Sequence, residues 1–87
     1  MKHAFLVYYI PDVRFGAAME QFVGLYVSEV LGKDDAWKKF LQLTKIDKER
    51  KEDGLAAPTL KEFWSKRLKC FCFDDTFVYV KKVPFKG

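Results

Sequence analysis

"LKCFCFDDTFVYVKKV", residues 68–83, consists of two short alternating runs joined at Asp74-Asp75. Alternation with period two marks half-buried strands, and an acidic pair between them marks a turn, so the stretch reads as a β-hairpin. Which side chains share a face then depends on the turn, because a slip of one residue carries a strand's whole set across the sheet. The turn holds no glycine, the residue that favours primed two-residue turns, and this points to a three-residue loop, Asp74-Asp75-Thr76. That register gathers Phe71, Phe73, Phe77 and Tyr79 on one face, with Lys69 and Lys81 beyond them. Leu68, Cys70, Cys72, Val78 and Val80 take the other face. A two-residue Asp74-Asp75 turn would instead set Cys72 opposite Phe77 and Phe71 opposite Val78.

Working back from the hairpin, Thr59 and Glu62 have the spacing of a capping box, which predicts a helix from Leu60 burying Phe63, Trp64 and the stem of Arg67. "GLAAP" (54–58) reads as a loop. Before it, Asp34 or Asp35 caps a helix with Trp37, Phe40, Leu41 and Thr44 on one face. Its continuation, "DKERKED" (47–53), has the alternating charge of a solvated helix end. Phe15, Ala18, Met19, Phe22, Val23, Tyr26 and Val30 recur at spacings of three and four, predicting an amphipathic helix closed by Gly32. Gly24 inside it costs about 1 kcal/mol against Ala and permits close packing. "HAFLVYYI" (3–10) is apolar on both parities and ends at Pro11, which predicts a strand covered on both faces.

The order is thus β-α-α-α-β-β, a single α+β domain spanning residues 1–87. A three-stranded, mostly antiparallel sheet is expected in strand order 1-3-2, with the helices packed on one face. The other face is expected to carry Phe5, Val7 and Tyr9 beside Phe71, Phe73, Phe77 and Tyr79. A bare patch of that size exceeds what soluble monomers usually expose, so something should cover it.

Composition narrows the class. The 87 residues are 49% hydrophobic and 17% aromatic, enough apolar material for a core without metal or disulfides and too much for a disordered chain. No run approaches the roughly 18 apolar residues of a membrane span, and no small-residue cleavage pattern follows "AFLVYYI". Cys70 and Cys72 stand only two apart, unsuited to a long-range staple, and this favours a reducing, cytoplasmic setting. The net charge of +4 lies wholly in the last third. Residues 59–87 hold seven basic side chains (Lys61, Lys66, Arg67, Lys69, Lys81, Lys82, Lys86) against three acidic ones (Glu62, Asp74, Asp75), whereas the rest balances to zero. That asymmetry points to an acidic or polyanionic partner.

Catalytic equipment is thin. His3 is the sole histidine, Ser28 and Ser65 lie in predicted helices, and no Gly-rich phosphate loop is present, so neither a Walker nor a Rossmann site is expected. Asp34-Asp35 and Asp74-Asp75 suit capping and turns better than acid–base work. Cys70-x-Cys72 supplies at most half of a zinc site and reads as a pair of small buried hydrophobes. No cofactor is expected. "KCFCF" (69–73) resembles the first RNA-contact motif of the RNA-recognition-motif family. Lys69 takes the basic position and Phe71 and Phe73 the aromatic ones, whereas Cys70 stands in place of the expected Gly. The likeness covers a few residues, and the order of elements differs from that family's.

The resulting expectation is a non-enzymatic protein that inhibits or modulates a macromolecular partner by occlusion. Lys66, Arg67, Lys69, Lys81 and Lys82 would steer the encounter while Phe71, Phe73, Phe77 or Tyr79 anchor it. The partner would be a protein or ribonucleoprotein with an acidic surface, with no membrane involved and a homodimer allowed. The alternative is single-stranded nucleic-acid binding by the same face, with RNA bases stacked on the rings. A second alternative is a small metal-independent ribonuclease using Tyr, Lys, Arg and His3.

Overall fold

The computed structural model describes residues 2–14 and 20–85, the last of these by its backbone alone. Lys2–Ile10 forms β1, Gln21–Tyr26 β2, Glu29–Thr44 α1, Ile46–Glu52 α2, Leu60–Phe63 α3, Trp64–Ser65 β3, Cys70–Phe73 β4 and Thr76–Phe85 β5. The class is α+β, but the sheet has five antiparallel strands rather than three, in the order β2-β1-β5-β4-β3. Its centre keeps the expected arrangement, the first strand pairing with the last. β1 and β5 run together without a break from Lys2 opposite Phe85 to Ile10 opposite Phe77. On β1, Val7 is fully buried on the helix side, whereas Leu6, Tyr8 and Ile10 on the other parity are only partly buried, so "HAFLVYYI" is apolar on both parities without being covered on both faces.

Two strands were not expected. The helical spacing of Phe22, Val23, Tyr26 and Val30 predicts a helix through Gln21–Tyr26, yet this segment forms β2. It contains Phe22, Val23 and Tyr26, aromatic or β-branched, and pairs with β1, and that sheet context decides the outcome over a coincidental period. A bulge at Val23 carries Phe22 opposite Tyr8 while Gly24 stands opposite Val7. Phe15, Ala18 and Met19, the first part of that expected helix, lie outside the described residues, as does Lys86. The other addition, Trp64–Ser65, is a two-residue strand against Cys70 and Phe71.

The helices also start elsewhere. Ser28, not Asp34 or Asp35, caps α1, its Oγ accepting from the Leu31 amide at 3.2 Å. Gly32 therefore lies inside the helix instead of ending it. Lys45 takes a left-handed φ of 57° and separates α1 from α2. Thr59 and Glu62 do form the capping box at the start of α3. That helix is a single turn, so Trp64 passes into the sheet and Arg67 lies exposed in the turn beyond.

Gly32, Ala36 and Phe40 recur every four residues on α1 and are buried against the sheet. There they meet Val7, Val78, Val80 and Phe71, with Ile46 of α2 completing the core. The Phe71 ring lies 5.3 Å from Trp37, 5.6 Å from Phe40 and 4.9 Å from Trp64. An aromatic residue buried in this way contributes about 2–3 kcal/mol by transfer alone.

The hairpin turn corrects the expected register. Phe73 pairs with Thr76, Cys72 with Phe77 and Phe71 with Val78, the two-residue turn over Asp74-Asp75. Asp74 itself adopts the positive φ, 56°, that a glycine would normally supply. Aspartate is among the few residues that tolerate that region. Val13 donates its amide to the Asp75 carbonyl at 2.7 Å, and Thr76 Oγ1 donates to the Pro11 carbonyl at 3.1 Å, tying this turn to the chain beyond β1.

Candidate functional site

The basic residues of the last third converge. After β3 the chain makes a tight turn in which the Leu68 amide donates to Ser65 Oγ at 3.2 Å and the Lys69 amide to the Ser65 carbonyl at 2.8 Å. Lys69 has a left-handed φ of 54°, and its carbonyl accepts the Val80 amide at 2.9 Å. Holding a lysine there costs about 1–2 kcal/mol, and it lets the turn fold back against β5 beyond the end of β4. Lys69 consequently shares a groove with Lys82, and Lys66 and Arg67 belong to the exposed turn that leads into it. Lys82, opposite Phe5, points to the helix side; Lys81, opposite Leu6, points to the other. Lys33 of α1 joins them, its Nζ 4.5 Å from the centre of the Trp64 ring. Phe5, Glu29, Trp64, Lys69, Val80 and Lys82 line a groove of about 170 Å³ between them.

Two arginines elsewhere in the chain are closely held by carboxylates. Arg50 donates two hydrogen bonds to Glu62, at 2.8 and 3.0 Å, and this holds the Glu62 carboxyl below the usual range. Arg14 is similarly engaged by Asp12, with a shortest contact of 2.6 Å, and lowers its carboxyl too. At the basic end, among the described residues, only Lys69 has a carboxylate within 4.0 Å, Glu29 at 3.9 Å. The end is therefore a concentration of positive charge with one carboxylate, Glu29, close to it among the described residues.

The rings behave in the opposite way, and the expected common aromatic face is divided. Phe71 has no exposed surface and is core. Phe73, 43% exposed, lies on the same helix-covered side with its ring edge-on to Phe63. Phe5, Val7 and Tyr9, expected on the open side, pack against the helical layer instead. Phe77 and Tyr79 occupy the opposite face, where Tyr79 stacks on Tyr8 at 5.5 Å and Tyr8 lies 5.3 Å from Phe22. Tyr79 donates its hydroxyl to Glu20, and burial raises its phenol above the ordinary range. No helix among the described residues lies on this second face.

Two residues of that face, Phe22 and Leu25, are more than half exposed, and the helical spacing of the segment conceals them. The signal that could have revealed them is the charge-free run "QFVGLYVS" (21–28), dense in strand-forming residues. Tyr26 in the same run turns to the helix side and donates to Asp35 Oδ2 at 2.7 Å. Burial, with help from that carboxylate, pushes its phenol up to about 12.

The two cysteines share the second face but not an environment. Cys70 is fully buried, and burial pushes its thiol up to about 11, whereas Cys72 is exposed, contrary to its reading as a buried hydrophobe. No group of three or more His, Cys, Asp or Glu side chains is placed to hold a metal among the described residues. His3 stands opposite Pro84 near the outer end of β1. No helix among the described residues is long and apolar enough to cross a membrane. Comparison of the chain with family models, with curated proteins and with solved structures finds no match to any.

Proposed function

We propose that the protein is a non-enzymatic binding protein that modulates a macromolecular partner by covering an acidic surface on it. The observation that carries this reading is the turn of Lys66, Arg67 and Lys69 folded back on residues 80–82 of β5, with Glu29 as the one carboxylate within 4.0 Å of these cations among the described residues. Such cations on a rigid sheet end raise the encounter rate with an anionic surface and fix its orientation. The groove lined by Phe5, Trp64 and Val80 lies on the helix side of the same hairpin, beside Lys69 and Lys82, and supplies apolar contact next to the charges.

A partner protein is favoured over single-stranded nucleic acid because of where the rings lie. Base stacking needs rings and cations on one surface. Here Tyr8, Phe77 and Tyr79 share their face with Lys81 but also with Glu20, whose carboxylate repels phosphate.

The test is a titration with poly-glutamate and with single-stranded RNA, from about 50 to 200 mM salt, read by Trp fluorescence. Saturable binding of the acidic polypeptide, weakened by Lys81→Glu and Lys82→Glu together, is expected. Tighter, steeply salt-dependent RNA binding would replace this reading with the nucleic-acid one. No binding of either probe at the lowest salt would refute it.

A further inference from the structure

Lys69 is held where a lysine is disfavoured. Its φ of 54° lies in the left-handed region that glycine occupies freely. Its backbone is fixed on both sides, the amide donating to the Ser65 carbonyl at 2.8 Å and the carbonyl accepting from the Val80 amide at 2.9 Å. A strained conformation kept by a residue with a long charged side chain points to a use for that side chain. It lines the groove with Lys82, against apolar walls from Phe5, Trp64 and Val80. The sixth lining residue is Glu29, in the first turn of α1.

The Glu29 carboxylate stands 3.9 Å from Lys69 Nζ, an ion-pair contact longer than a hydrogen bond. Neither side chain is buried, and an exposed pair of this kind is weak and easily exchanged. Glu29 loses little on leaving it, because it keeps a favourable place near the N-terminus of α1. The groove, about 170 Å³, has the space of about six water molecules and falls below the roughly 300–1,000 Å³ of small-molecule sites. It admits one side chain.

Resting on the binding function proposed above, we infer that this groove receives one acidic side chain of the partner protein, and that Glu29 holds the carboxylate's place until it arrives. Charge complementarity selects that occupant. Lys69 and Lys82 set two positive charges against one negative in the groove, so an incoming carboxylate remains attracted once Glu29 swings out. A carboxylate already in contact with Lys69 is the group the site accommodates, whereas a nucleic-acid phosphate is carried on a backbone too broad for a groove of this size. Packing of the partner's side chain against Phe5, Trp64 and Val80 excludes water and strengthens its pairing with Lys69 beyond what the exposed Glu29 achieves. Glu29 is thus a built-in competitor, overcome by an acidic side chain that also fills the apolar walls.

Titration with poly-glutamate at about 150 mM salt, where exposed charges more than roughly 8 Å apart are largely screened, tests this. The readout is tryptophan fluorescence, since Trp64 lines the groove. Glu29→Gln is expected to tighten binding by about threefold or more, and Glu52→Gln, which makes the same change of net charge on α2, to leave it unchanged. Lys69→Gly accepts the φ of 54° without strain, so it should melt no lower than the wild type and yet bind about fivefold more weakly or worse. Poly-glutamate that fails to bind the wild type refutes the binding function and this inference with it. Wild-type binding that Glu29→Gln and Glu52→Gln change alike, or that Lys69→Gly leaves intact, preserves that function and overturns the groove as its contact. A Glu29→Gln variant that tightens on single-stranded RNA but not on poly-glutamate also overturns it, in favour of a phosphate.

Discussion

Phe71→Ala separates a core ring from a contact ring. The side chain has no exposed surface and meets Trp37, Phe40 and Trp64 at centroid distances of 4.9–5.6 Å. Truncating such a residue removes its transfer free energy and leaves a cavity that three further rings hold open, a loss of about 3–5 kcal/mol. A domain of this length has roughly 4–13 kcal/mol in total, so the variant loses a large share of its stability. With a urea slope of about 1–1.5 kcal/mol/M, the midpoint falls by about 2–5 M. Phe73→Ala, at a ring 43% exposed beside Phe63, should cost about 1 kcal/mol. Urea unfolding followed by far-UV circular dichroism reads both variants. A Phe71→Ala variant within about 1 kcal/mol of wild type would show that the ring is not core, and the assignment of the hairpin's faces would fail with it.

A methyl group added at Gly24 would sit 2.9 Å from the Tyr26 hydroxyl and 3.2 Å from its ring carbon Cζ. Gly24→Ala should therefore displace the ring, break its hydrogen bond to Asp35 and lower stability by about 1–2 kcal/mol, or roughly 5–10 °C in melting temperature. A thiol reagent at pH 8 should modify Cys72 rapidly in the native protein and Cys70 only on unfolding, because Cys70 is buried and its thiol is pushed up to about 11; two equivalents reacting at one rate would contradict that placement. Burial raises the phenol of Tyr26 to about 12 in the fold, above its ordinary value of 10.0. The neutral form is the favoured one, so its contribution is intact below pH 10 and lost as pH rises towards 12, and Tyr26→Phe should flatten that part of an alkaline unfolding curve.

Much of the fold was legible where a local rule acts alone. The apolar run before Pro11 gives β1, the Thr59–Glu62 spacing gives the start of α3, and the Asp74-Asp75 pair gives a turn. β2 was hidden because a six-residue segment is compatible with both periods, and only its partner strand decides between them. The hairpin register was hidden because the expectation of glycine overlooked that Asp74 tolerates a φ of 56°. At the candidate site the difference follows from parity. Cations on long, flexible stems reach one region whichever face their Cα atoms occupy, so the charge asymmetry visible in the sequence became the basic end. Rings stay on the face their Cα dictates, so one residue of slip sent Phe71 and Phe73 to one side and Phe77 and Tyr79 to the other.

The placement of both the charges and the rings rests on the pairing across Asp74-Asp75, and a nuclear Overhauser spectrum of the folded protein reads it directly. Cross-strand contacts linking Phe71 to Val78 and Cys72 to Phe77 are expected, together with a contact between the Tyr8 and Tyr79 rings on the helix-free face. Contacts linking Phe71 to Tyr79 and Phe73 to Phe77 would mean a three-residue loop, would return the four rings to one surface and would contradict the division on which the proposed function depends.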